Sequence, residues 1–194
     1  TNGLLFAKEE NAALAAKFAD KLMLLLQFDA LSNGANEALR GASPTRLREK
    51  VIARMDALGV PMQLTMTLSQ DVNDGEIGEV LDVALAHDNV KLVAMQPVTW
   101  SGRYELGRDP MERLTLSDVA NGVLSSARAK MGPNDFVPIP CSHPNCGWLT
   151  VFLKPMTASP TAWMRPHGSS CPAQLLPSIY LTLISIPTST AVKR

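Results

Sequence analysis

The sequence predicts an α/β fold: a partial TIM-type (β/α) barrel with parallel strands, followed by an irregular C-terminal tail. Three observations carry that expectation. Apolar runs of strand length alternate with amphipathic runs of helix length, the pattern that specifies a parallel sheet with crossover helices. The apolar runs are nearly continuous, as strands buried on both faces require. Polar residues collect just after each run, where the carboxyl ends of parallel strands gather chemistry. A doubly wound sheet shares these features and stands as the alternative architecture.

The elements follow in order. Glu9 to about Lys21 places Ala12, Leu14, Ala15, Ala16, Phe18 and Ala19 along a helix with acidic residues in its first turn, where the helix dipole favours them. Leu22 to Phe28 is an apolar run that ends at Gln27-Phe28-Asp29. Ser43-Pro44 opens a helix through Leu58, and Gly59 stops it. Met62 to Leu68 is the next strand, Asp74 to Ala86 a helix, and Val90 to Met95 a strand leading to Gln96-Pro97. A helix from Ser117 to Lys130, with Ser117 as N-cap, precedes a last strand at Phe136 to Ile139.

The ends differ from this rhythm. Thr1-Asn2-Gly3 reads as the close of a strand and a turn, so the chain is expected to be a fragment. After Asp135 there is no Asp or Glu, and prolines recur from Pro155 to Pro187. The expected organisation is a partial barrel over residues 1–135, a cysteine-containing segment over 136–153, and an irregular or disordered tail over 154–194, possibly of non-native sequence.

Charge narrows the partners. Lys+Arg and Asp+Glu are 18 each, so nothing favours nucleic acid or an anionic membrane. No apolar run approaches the roughly 20 residues of a bilayer span, and no signal peptide opens the chain. A small-molecule or lipid substrate and a cytoplasmic location are the simplest expectations.

The strongest chemical signal is Pro140-Cys141-Ser142-His143-Pro144-Asn145-Cys146. Thiolate and imidazole are ligands for zinc or for iron–sulfur iron, and the flanking prolines stiffen the backbone that would present them. A metal or cluster site at Cys141, His143 and Cys146 is one reading; coincidence and a small disulfide loop are the others. No G-x-G-x-x-G and no G-x-x-x-x-G-K-[ST] occurs, which disfavours a dinucleotide or P-loop site. His87 falls at a helix end and His167 in the tail, so no Ser-His-Asp arrangement can be argued.

The strand ends also carry a resemblance. Thr1-Asn2-Gly3, Leu26-Gln27-Phe28-Asp29, Leu39-Arg40-Gly41, and Thr65-Met66-Thr67 with Asn73 and Glu76 resemble the successive strand-end motifs of radical S-adenosylmethionine (radical SAM) enzymes. Gln96-Pro97-Val98-Thr99-Trp100-Ser101-Gly102-Arg103 and the Pro-Cys-Ser-His-Pro-x-Cys segment look like the branch of archaeal tetraether-lipid synthases and their bacterial relatives. The resemblance implies a [4Fe–4S] cluster and S-adenosylmethionine as cofactors, and a 5′-deoxyadenosyl radical that abstracts hydrogen from substrate. It implies that Asn2, Gln27, Asp29, Thr67, Asn73 and Gln96 line the S-adenosylmethionine cavity. Cys141 and Cys146 would then serve an auxiliary cluster or metal site, with His143 as ligand or supporting donor.

The Cys-x3-Cys-x2-Cys motif of that superfamily is absent, so the isolated chain is expected to be inactive. An open sheet edge is expected to make it self-associate. Two other readings remain: a zinc-binding structural or interaction domain built on the cysteine segment, and a metal-free TIM-type enzyme acting through Asp29 and Arg103.

Overall fold

Strand β2 (Met62–Leu68) shows how the sequence builds the sheet, because its residues are buried and half-buried by turns. Met62, Leu64, Met66 and Leu68 are fully buried, while Gln63, Thr65 and Thr67 on the opposite side are half-buried. The description comes from a computed structural model and covers residues 1–99, 109, 111–126, 132–139, 147–153 and 178–184.

Around β2 the predicted alternation is present. Helix α1 (Glu9–Ala16) leads to β1 (Leu24–Gln27), helices α2 (Asn33–Arg40) and α3 (Thr45–Ala57) to β2, helix α4 (Ile77–Ala86) to β3 (Val90–Pro97), and α5 (Leu116–Ser125) follows. Strands β1, β2 and β3 are parallel, with Leu24 opposite Met62 and Thr67 opposite Gln96. Leu24, Leu26, Leu64, Met66, Val93 and Met95 form one core with Val51, Ile52 and Met55 of α3 and Val80, Leu81 and Ala84 of α4. Burial of these side chains stabilises the sheet, at about 25 cal/mol per Å2 of apolar surface removed from water.

Several boundaries differ from the sequence expectation. Helix α1 ends at Ala16 rather than near Lys21. Helix α2 was not anticipated; Ser32 caps it by accepting from the Ala35 amide at 3.3 Å, and Gly41 closes it with φ 69°. At α5 the cap is Thr115 rather than Ser117, because Thr115 and Asp118 satisfy each other's backbone amides in a capping box.

The sheet also continues beyond the expected parallel strands. Its order is β1-β2-β3-β6-β5-β4, with β4 (Val137–Pro138), β5 (Gly147–Leu153) and β6 (Ser178–Ile184). Strand β6 is parallel to β3, but β5 and β4 run antiparallel. The last predicted strand, Phe136 to Ile139, thus exists in shortened form as an antiparallel edge. Strand β6 falls in the stretch read from sequence as irregular; Ile179, Tyr180, Leu181 and Leu183 are strand formers that the surrounding prolines masked.

Gly3 and the β1 edge meet closely. A Cβ at Gly3 would lie 2.2 Å from Leu26 Cδ1, and its φ of 79° suits glycine alone. Just before it, the Thr1 ammonium donates to Leu25 O at 2.9 Å and Thr1 O accepts from the Gln27 amide at 2.9 Å, the bond pattern of a parallel bridge opposite Leu26.

At the amino end of β3, Asp56 accepts from the Asn89 amide at 2.7 Å and meets His87 Nδ1 at 3.0 Å. Burial pushes the Asp56 carboxyl up, but the bonds from Asn89 and His87 and the His87 charge outweigh it and hold the carboxyl below its usual range. A depressed carboxyl contributes stability that is present above its unfolded value, about pH 3.9, and is lost as pH falls through the folded value. Asp56→Asn should therefore flatten the loss of stability below about pH 4 in urea titrations at stepped pH.

Candidate functional site

The carboxyl ends of β1 and β2 are joined by one buried carboxylate. Asp29 is fully buried, two residues beyond the end of β1. Its Oδ2 accepts from Arg40 Nε at 3.0 Å and its Oδ1 from Arg40 Nη2 at 3.2 Å, a two-pronged pair in which the planar guanidinium matches the carboxylate. The same Oδ1 accepts from the Thr67 amide at 2.8 Å, and Arg40 Nη2 also donates to Thr67 Oγ1 at 2.8 Å. With its amide oxygen turned toward Arg40, Gln27 accepts from Nε and Nη1, each at 3.1 Å. One guanidinium thus bridges three of the residues expected from sequence to lie together.

Asn73 fastens the loop behind them. Its Nδ2 donates to Asp29 O and Thr67 O, both at 2.8 Å, and its Oδ1 accepts from the Ser69 amide at 2.9 Å. It is 1% exposed, so nearly all of its side-chain capacity goes to main chain. Glu76 performs a similar task from the far side of that loop. Its Oε2 accepts from the Leu31 amide at 2.7 Å and the Ser32 amide at 3.0 Å, while Oε1 meets Ser32 Oγ. The segment that starts α2, and with it Arg40, is thereby anchored to the start of α4.

A second guanidinium lies deeper. Arg48, 3% exposed, donates from Nη1 to Asn36 Oδ1 at 3.0 Å, and Asn36 Nδ2 donates to Ala30 O at 2.9 Å. Burial pulls Arg48 below its ordinary range, the Asp29 charge opposes this, and Arg40 adds to it.

The remaining expected residues fall differently. Gln96 is half-buried and lies in register beside Thr67, on the face of the sheet that carries Arg40. Asn2 is exposed, and its Oδ1 accepts from the Leu4 amide at 3.2 Å, a local side-chain turn ahead of Leu4–Ala7. Arg40 was legible only as part of a motif; the signal that could have placed it in the site is its position in the last turn of a short helix, before Gly41. Cys141, His143, Cys146 and Arg103 lie outside the described residues. Among the described residues no group of three or more His, Cys, Asp or Glu could hold a metal ion.

Arg40→Ala would leave the buried Asp29 carboxylate with the Thr67 amide as its remaining partner. A loss of about 3 kcal/mol in urea unfolding is expected, the low end for breaking a buried pair, with Arg40→Lys intermediate because one ammonium cannot reproduce the fork. A loss under about 0.5 kcal/mol, the range of ordinary surface substitutions, would refute this geometry.

The chain is 30% identical over 169 residues to 7,8-dihydro-6-hydroxymethylpterin dimethyltransferase of Methanocaldococcus jannaschii, across 86% of this chain and 32% of that protein. It therefore spans about a third of the length of the curated relative it matches. No family model matches it. No helix among the described residues is long and apolar enough to cross a membrane.

Proposed function

We propose that the chain is part of a radical S-adenosylmethionine enzyme, working in the cytoplasm, and that the carboxyl ends of β1, β2 and β3 form its S-adenosylmethionine cavity. The observation that carries this reading is the Arg40 guanidinium held between Asp29, Thr67 and Gln27 at the strand ends. Support comes from the order of the strand-end motifs and from the likeness to a methyltransferase.

The residues fit the polar ends of such a ligand. Arg40 keeps 19% of its side chain exposed, enough to offer an N–H edge to a ligand carboxylate. Thr67 and Gln96, adjacent in register, supply hydroxyl and amide groups for a ribose or base. Asp29 and Asn73, buried behind them, hold Arg40 and the Thr67 backbone in place. When bound, the cofactor supplies the transferable methyl group or, once reductively cleaved, the radical.

The radical-generating cluster does not fit this chain, since the 194 residues lack a Cys-x3-Cys-x2-Cys motif. In this reading Cys141, Cys146 and His143 serve a secondary metal site, a role that rests on the resemblance of their segment.

Calorimetric titration with S-adenosylhomocysteine tests the cavity. The chain should bind it, and Arg40→Met should weaken binding about tenfold or more, equivalent to one charge-assisted hydrogen bond. Absence of binding by the unsubstituted chain would overturn the assignment.

A further inference from the structure

A cation buried away from water is tolerated where an anion or a full set of hydrogen bonds meets it, and Arg48 has neither. It lies in α3 and is 3% exposed. Its Nη1 donates to Asn36 Oδ1 at 3.0 Å, but its Nε is buried without a partner, and neither ion pair among the described residues includes it. Asn36 is fully buried and spends its Nδ2 on Ala30 O and Ser32 O, both at 2.9 Å, and on Thr45 Oγ1 at 3.0 Å. Arg48 is thus tied, through Asn36, to the segment that follows Asp29.

Charge is unequal in this cluster. Asp29 supplies one negative charge, and both of its oxygens are already taken by Arg40, with the Thr67 amide on Oδ1. Arg40 and Arg48 supply two positive charges. The field of Asp29 favours the charged form of Arg48, while that of Arg40 opposes it together with burial, the larger effect, so the two guanidiniums repel each other. A neutral side chain on α3 would avoid this cost. Residues that break a stability rule without a local gain are expected at functional sites.

We infer that Arg48 is a positioning residue for the anionic group of the ligand: its uncompensated charge, deeper than the Arg40–Asp29 pair, leaves the rim net positive, so that Arg40 receives a carboxylate rather than a neutral group. This rests on the cavity proposed above. Alone, the Arg40–Asp29 pair is neutral, and a ligand carboxylate would exchange its hydration for little more than a hydrogen bond. With Arg48 present, the same carboxylate balances two cations with two anions and relieves the repulsion between the guanidiniums. Arg48 is too buried to touch the ligand and acts through Arg40, which keeps 19% of its side chain exposed. A ligand without an anionic group draws nothing from Arg48.

The test is calorimetric titration of the 194-residue chain with S-adenosylhomocysteine, which carries a carboxylate, and with 5′-methylthioadenosine, which does not. Arg48→Gln removes the charge and keeps an N–H donor for Asn36. It should weaken S-adenosylhomocysteine about tenfold and leave 5′-methylthioadenosine unchanged, and Arg48→Lys, which keeps the charge, should restore most of the affinity. Urea unfolding establishes that both variants are folded. Equal weakening of the two nucleosides, or no weakening of S-adenosylhomocysteine, overturns the role, as does a loss in Arg48→Lys as large as that in Arg48→Gln. If S-adenosylhomocysteine does not bind the unsubstituted chain, N-acetylmethionine, a carboxylate without a nucleoside, decides. A shift of the Arg40 Nε–H resonance on its addition that Arg48→Gln abolishes leaves the charge role standing while the cofactor assignment falls. No shift, or one that survives Arg48→Gln, overturns the charge role as well.

Discussion

The Asp29 carboxylate is the constraint on which this end of the molecule depends. It is fully buried, and a buried carboxylate is tolerated only where charge and hydrogen bonds meet it. Arg40 meets it from α2 and the Thr67 amide from β2, so one group fixes a strand end, a helix and the neighbouring strand relative to one another. Asn73 and Glu76 then fasten the two loops that this pairing leaves, one through Asp29 O and Thr67 O, the other through the Leu31 and Ser32 amides. The polar side chains at the rim are held by bonds to main chain and to each other, which is what a preorganised ligand site requires.

Asp29 and Asn73 are buried, and their side chains bond to Arg40 and to the backbone. Gln27, Thr67 and Gln96 are half-buried and share one sheet face with Gln63 and Thr65. The apolar face of the same strands packs on α3 and α4. The sheet thus has one apolar face that packs on α3 and α4 and an opposite face that carries polar side chains.

Much of this was legible in the sequence because parallel strands announce themselves. Met62–Leu68 was expected and found with the same bounds, and Gly59 ends α3 with φ 70°. Gln27, Asp29, Thr67 and Asn73 were expected together and are joined by hydrogen bonds through Arg40 and the Asp29 backbone. What stayed hidden depends on tertiary context. Helix α2 carries Asn, Gly and Asn in its first turns, a weak helix former held by Ser32 and Gly41 at its ends. The antiparallel pairing of β4 and β5 and the insertion of β6 beside β3 are non-local, and no periodicity within a segment encodes its neighbour. Asn2, read as a cavity residue from its motif, spends its side chain on a turn because the Leu4 amide lies within reach.

In the proposed function, ligand binding belongs to the Arg40 end of the sheet. Amide chemical-shift mapping on the 15N-labelled chain during addition of S-adenosylhomocysteine tests it most directly. Shifts are expected at Leu31, Thr67 and Asn73, with Asn89 at the amino end of β3 unmoved. Shifts centred on Asn89 and Asp56, or shifts spread evenly over the sheet, would contradict it.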